Sequence, residues 1–276
     1  MTDTRSPVDE ELLARLENAV LWLTINRPDA GNAITPDVRN RMIEHLTDAN
    51  ASPDVRAVVI TAAGERHFCT GADLRAGREQ TPPAEAPERV AGDAARMIRT
   101  GIQRLMAAIQ DCEKPVLAAV NGTAAGGGAV LVLAADLVLA AEHARIIQVF
   151  VRRGLIPDGG GTYLLPRLVG LHKAKELVLF GDDLGAADAE RLGIVNKVVP
   201  AAALQATAKE WAERLASGPT KSIGFAKRLL NRSLDVDRAT LFEEEALFVE
   251  LVAGTEDSKE GVASFVERRP PDFKGW

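Results

Sequence analysis

The chain has 276 residues, 46% hydrophobic and 26% charged, with a formal charge of -6, which suits one large domain with a buried core, alone or with a helical appendage. The acidic balance argues against a general nucleic-acid binder, although a few placed Lys or Arg side chains would still hold a phosphate-bearing ligand. Cys69 and Cys112 are the only cysteines, so a disulfide framework is excluded, and no Cys/His spacing suggests zinc.

The first eleven residues are polar and acidic, unlike a signal peptide. The longest apolar stretch, Ala129 to Ala141, is interrupted by Asp136 and is too short to span a bilayer. A cytoplasmic location is expected. Residues 19–26 (AVLWLTIN) read as a buried strand ended by the turn-forming RPDAGN. Thr35-Pro36-Asp37 supplies a cap, a first-turn proline and a first-turn acid for a helix to about Asn50. A strand at Val55 to Thr61 follows, then a Gly- and polar-rich stretch with a short extended segment, and a proline- and charge-rich segment at 77–93 that reads as a loop.

A helix from about Ala94 to Asp111 is expected to stop before Lys114-Pro115. VLAAV reads as a strand turned by Asn121-Gly122; Gly126-Gly127-Gly128 then opens a helix that Asp136 ends, and LVLAA is a further strand. Beyond the second glycine cluster, IPDGGGT, helices are expected at 162–180 and 186–192 and a strand at 194–199. From Ala201 to about Arg268 only helical signals remain. Alternating strands and helices followed by helices alone indicate an α/β core, 1–200, with a helical C-terminal region, 201–276; no tandem repeat is evident, and a repeating ββα character fits the order of elements.

Two glycine-rich segments carry the chemistry: His67-Phe68-Cys69-Thr70-Gly71-Ala72-Asp73-Leu74 and Asn121-Gly122-Thr123-Ala124-Ala125-Gly126-Gly127-Gly128. The second puts bare backbone at a strand-to-helix turn, where free N–H groups favour developing negative charge. On its own a Gly triplet after a strand is more often a tight turn than a ligand site. Taken in order with NRPDAGNAIT, GLIPDGGGTYLLPRLVG, AADAERLGIVNKVVP and EGVASFVERRPPDFKGW, the segments resemble the enoyl-CoA hydratase/isomerase (crotonase) family over roughly residues 15–275.

That resemblance implies a crotonase-like spiral of repeated ββα units with a C-terminal helical region. It implies an acyl-coenzyme A thioester as substrate, whose enolate oxygen is held by the backbone N–H groups of Ala72 and Gly127. No separate cofactor is implied, because coenzyme A is part of the substrate. By the same resemblance Arg27, Ala30 and Ala33 lie near the nucleotide end, and Thr70, Asp73 and Leu74 line the pantetheine and adenine channel. Phe273 and Lys274 match a C-terminal element that often reaches a neighbouring subunit's ligand. The bland reading of Arg27 and Lys274 is solvated charge. A homotrimer or dimer of trimers assembled through the C-terminal helices is also implied.

The acid/base positions depart from the usual hydratase pattern. Its two glutamates correspond here to Val130 and Phe150, and the carboxylate that remains is Asp158, in Ile156-Pro157-Asp158-Gly159-Gly160. Isomerase branches of the family carry an acid at this point, and a dehalogenase branch uses an aspartate there as nucleophile with a histidine to assist. Moving a double bond needs one base beside an oxyanion hole, which favours an enoyl-CoA isomerase with Asp158 as the acid/base. The alternative for Asp158 is turn chemistry, capping the helix that begins near Gly161. The competing functions are an atypical hydratase and a CoA- or RNA-binding member without catalysis. His67 reads as loop decoration, and Phe68, Phe150 and Val130 as pocket or core.

Overall fold

The computed structural model describes residues 10–73 and 92–276. Ten strands run in chain order: β1 Leu12–Glu17, β2 Val20–Ile25, β3 Ala57–Ala62, β4 His67–Cys69, β5 Val116–Val120, β6 Thr123–Ala125, β7 Leu137–Ala141, β8 Arg145–Ile147, β9 Asp183–Gly185 and β10 Lys197–Val199. The helices within the described residues that matter below are α1 Pro36–Ala51, α2 Asp93–Thr100, α3 Ile102–Gln110, α4 Gly127–Ala134, α5 Gly161–Val169, α6 Leu171–Phe180, α7 Ala186–Arg191, α8 Leu204–Ala216, α9 Thr220–Arg232, α10 Arg238–Ala253 and α11 Glu256–Glu267.

The strands form two sheets. The larger has the order β1-β2-β3-β5-β7-β10 and the smaller β4-β6-β8-β9. β2, β3, β5, β7 and β10 are mutually parallel, with β1 antiparallel at the edge. In the smaller sheet β4, β6 and β8 are parallel and β9 is antiparallel to β8. Each pair in sequence, β3–β4, β5–β6 and β7–β8, therefore gives one strand to each sheet before the chain turns into helix. This is the ββα spiral expected from the resemblance.

The central strands are buried on both faces, which explains their unbroken apolar runs. Leu21, Leu23 and Ile25 of β2, with Val58 and Ile60 of β3, face a core shared with α1, α3 and α4. Their neighbours Val20, Trp22, Ala57 and Val59 face the opposite way, onto Leu204, Ala208, Ala212 and Ala216 of α8. The four-residue spacing of Ala208, Ala212 and Ala216 lets α8 lie close to the sheet.

α1 begins as the sequence indicates: the Thr35 hydroxyl accepts from Val38 N at 3.2 Å, and Pro36 takes the first position. Several boundaries differ. β1 was not expected, because Leu13 and Leu16 point to solvent and hide its alternation. It is joined to β2 through Asn18 and Ala19, both at positive φ, as a tight hairpin requires. The single helix expected at 94–111 is broken at Gly101, and the one at 162–180 at Gly170. The strand expected at 194–199 shortens to Lys197–Val199.

A buried ion pair fastens α9 to the sheet. The Lys227 ammonium lies 2.7 Å from Asp136 Oδ2 and also donates to the carbonyls of Ile109 and Lys114. Asp136 in turn accepts from Val116 N at 2.7 Å, at the entry to β5. Among the described residues, no helix is long and apolar enough to cross a membrane.

Candidate active site

The site forms where the ends of β4 and β6 meet the N-terminus of α4. Ile34 N donates to Gly71 O (2.8 Å) and Asp73 N to Ile34 O (2.9 Å), forming a parallel bridge with Ala72 at its centre. That pattern turns the Ala72 N–H away from the bridge. Gly127 is the first residue of α4, so its N–H belongs to the turn that has no intrahelical acceptor. The two segments touch: a Cβ built on Gly71 would stand 3.2 Å from Gly127 N, and one built on Gly127 would stand 3.9 Å from Ala72 N. Two main-chain donors are thus brought side by side, reinforced by the positive end of a helix.

Glycine is obligatory at two of these positions. Gly71 has φ +99, and a side chain there would also press on Ala125 O at 3.2 Å. A Cβ on Gly128 would lie 2.0 Å from Cys69 O, so α4 and β4 meet backbone to backbone. Cys69 itself is buried, its thiol pushed up to about 12 by burial, and its sulfur accepts from Gly71 N. It is a packing residue rather than a nucleophile.

The corner at 27–34 supports the same strand end. Arg27 donates to Ala33 O at 2.6 Å and pairs with Asp73 at 3.0 Å and Glu11 at 3.0 Å. Its side chain is only 15% exposed, which corrects the reading of Arg27 as solvated charge. Ala30 and Ala33 lie in the same turn, joined by Ala33 N to Ala30 O. The Thr70 hydroxyl donates to Gly31 O at 3.0 Å. Asn32, fully buried, donates to Ala63 O and His67 O and accepts from Arg27 N. Its importance was not seen in the sequence, where it stands in an ordinary turn motif. Leu74 lies outside the described residues.

The loop carrying Asp158 packs against the same helix. A Cβ on Gly159 would meet Ile102 at 3.1 Å, Val130 at 3.5 Å and Met106 at 3.6 Å, and Ile102 also borders Gly127. Asp158 is half-buried, and burial pushes its carboxyl above the ordinary range. Among the described residues no ion pair involves it. The capping alternative is corrected: the N-cap of α5 is Gly160 without a side-chain bond, and the turn is closed by Gly161 N to Asp158 O. Val130 and Phe150 are both buried, and Phe150 lies 3.9 Å from where a Gly126 Cβ would stand. The walls at the two usual glutamate positions are therefore apolar.

His67 belongs to β4 and is not loop decoration; its ring is disfavoured as a cation by burial first and by Arg66 second. Phe273 and Lys274 are held on their own chain. Phe273 O accepts from Arg56 at 3.0 Å, Lys274 N donates to Asp257 at 2.6 Å, and the Lys274 ammonium pairs with Asp272. Among the described residues, no hydrogen bond or ion pair joins them to the Ala72–Gly127 corner. Gln148, a buried amide next to Gly161, went unremarked in the sequence. The signal was there: one polar residue inside the apolar run IIQVFV.

Two adjacent main-chain donors at a helix start could stabilise negative charge developing on an oxygen, and the half-buried Asp158 carboxyl is carried by a loop that packs on the same helix. The family model described as enoyl-CoA hydratase/isomerase matches residues 15–276. The chain is 35% identical over 266 residues to a 1,2-epoxyphenylacetyl-CoA isomerase of Escherichia coli (strain K12), covering 96% of this chain and 99% of that one. It is 36% identical over 255 residues to a short-chain-enoyl-CoA hydratase of Clostridium acetobutylicum, covering 92% and 93%. The crystal structure of an enoyl-CoA hydratase from Bacillus anthracis superposes with a TM-score of 0.87 at 32% identity, over 96% of this chain and 100% of that one. The chain belongs to the enoyl-CoA hydratase/isomerase family and has the crotonase fold.

Proposed function

We propose that the chain is an enoyl-CoA isomerase in which Asp158 is the single acid/base and the N–H groups of Ala72 and Gly127 hold the thioester oxygen. The carboxylate would remove a proton from the carbon next to the thioester carbonyl. Charge then spreads onto the oxygen, where the two donors stabilise it, and the same proton returns two carbons further along the chain. Hydration in the usual manner would ask for a second carboxylate, and the two places for one are held by Val130 and Phe150. The relative named as a 1,2-epoxyphenylacetyl-CoA isomerase supports this reading, while the hydratase names support the other.

The observation that carries the proposal is the lone, half-buried Asp158 beside those apolar walls. Purified protein given a 3-enoyl-CoA is expected to yield the 2-enoyl isomer, and Asp158→Asn to lower that rate by about a hundredfold or more with CoA binding kept. Full activity in Asp158→Asn, or steady incorporation of water into a 2-enoyl-CoA as the main reaction, would overturn it. Arg27, Ala30, Ala33, Thr70, Asp73 and Leu74 form the proposed coenzyme A channel. Phe273 and Lys274 of an adjoining copy complete it in a proposed trimer or dimer of trimers. No nucleic-acid partner is proposed.

A further inference from the structure

We propose that Gln148 is a specificity-determining residue of the acyl pocket, one that reads a hydroxyl on the acyl chain. Gln148 follows β8 and is only 3% exposed, yet neither its Nε2 nor its Oε1 has a hydrogen-bond partner. Its Oε1 lies 3.7 Å from the place a Cβ on Gly161 would take; the same point is 3.1 Å from Val130 and 3.5 Å from Pro157. The amide therefore lies beside Val130 of α4 and Pro157 of the Asp158 loop. Leaving both ends of a buried amide unpaired is costly, and an apolar side chain of similar size would avoid that cost. A hydroxyl donates to Oε1 and accepts from Nε2 at once, so it satisfies both ends where a plain alkyl chain satisfies neither. A site built to bond a hydroxyl discriminates strongly against the analogue without it.

The inference rests on the reading of this cleft as an acyl-CoA pocket, and calorimetric titration separates the two. The probes are hexanoyl-CoA, 3-hydroxyhexanoyl-CoA and 6-hydroxyhexanoyl-CoA, which place a hydroxyl near to and far from the thioester, titrated into the full chain. The expected result is that one hydroxylated probe binds about tenfold more tightly than hexanoyl-CoA. In Gln148→Leu that preference falls to within about twofold, with hexanoyl-CoA affinity kept or improved. Gln148→Met gives the same readout if the leucine variant fails to fold. Equal binding of all three probes by the native chain, or a preference that survives in the variant, overturns the role of Gln148. Binding of none of the three overturns the pocket reading itself.

Discussion

At Asp158 the elevated carboxyl pKa has consequences of opposite sense for rate and stability. A base must be ionised, so kcat/KM for isomerisation should fall as pH drops through a value above the ordinary carboxylate pKa. A pKa raised on folding means that the folded chain holds the proton more readily than the unfolded chain, so ionisation of Asp158 weakens the fold as pH rises. Asp158→Asn should then melt no lower than the native protein at pH 7 to 8, with any advantage shrinking as pH falls towards the ordinary carboxylate range. Thermal unfolding across pH, beside the pH–rate profile, checks both signs. A destabilised Asp158→Asn at neutral pH would count against the desolvation account.

Glycine substitutions separate the hole from its support. Gly71→Ala would strain a positive-φ position and place a methyl 3.2 Å from Gly127 N, so activity should fall by about a hundredfold or more in a protein that still folds. Gly128→Ala meets the Cys69 carbonyl head-on and should instead reduce soluble, cooperatively melting protein. The meeting of the two segments at Ala72 and Gly127 was expected from the resemblance, because the glycine-rich motifs that carry it are contiguous and leave the main chain bare. Asn32 was not, because its burial is decided by partners distant in sequence, whereas Gln148 was marked only as one polar residue inside an apolar run. The charge on Arg27 was visible, but its enclosure by Glu11 and Asp73 was not.

At the scale of elements, the strands buried on both faces announced themselves as apolar runs, while β1, β6, β8 and β9 did not and β4 showed only as a short extended segment. Strands of three residues such as β4, β6 and β8 carry too few side chains to show a period. The breaks at Gly101 and Gly170 lie inside stretches whose flanking pattern stays helical, so helix content was legible where helix direction was not. The Lys227–Asp136 pair joins α9 to the sheet, and removing one partner leaves a buried charge alone. Lys227→Met should cost about 3–5 kcal/mol, read as a lowered midpoint in urea, and Lys227→Met with Asp136→Leu should recover part of it.

The molecule as a whole is unevenly finished. Its α/β part is closed around two cores, whereas α10 has no buried residue at all and still carries Phe242, Leu247, Val249 and Leu251 to solvent. On α11, Phe265 is 85% exposed beside Val262 and Val266. Apolar side chains exposed on both sides of a helix call for surrounding partner surface. Light scattering at micromolar concentration should give a mass of three or six chains, and Phe265→Asp combined with Leu251→Arg should reduce it. A monomeric native protein would remove the reason for placing a neighbouring copy beside the site.

The contact between Gly128 and the Cys69 carbonyl gives the two N–H donors no independent freedom. Their separation is set by main chain resting on main chain, like the fixed gap of a gauge, and no nearby rotamer can widen or narrow it. On the proposed reading, drift at Val130, Ile102, Met106 or Phe150 would change which acyl chain is admitted and where its protons go, while the proposed grip of Ala72 and Gly127 on the thioester oxygen would stay the same.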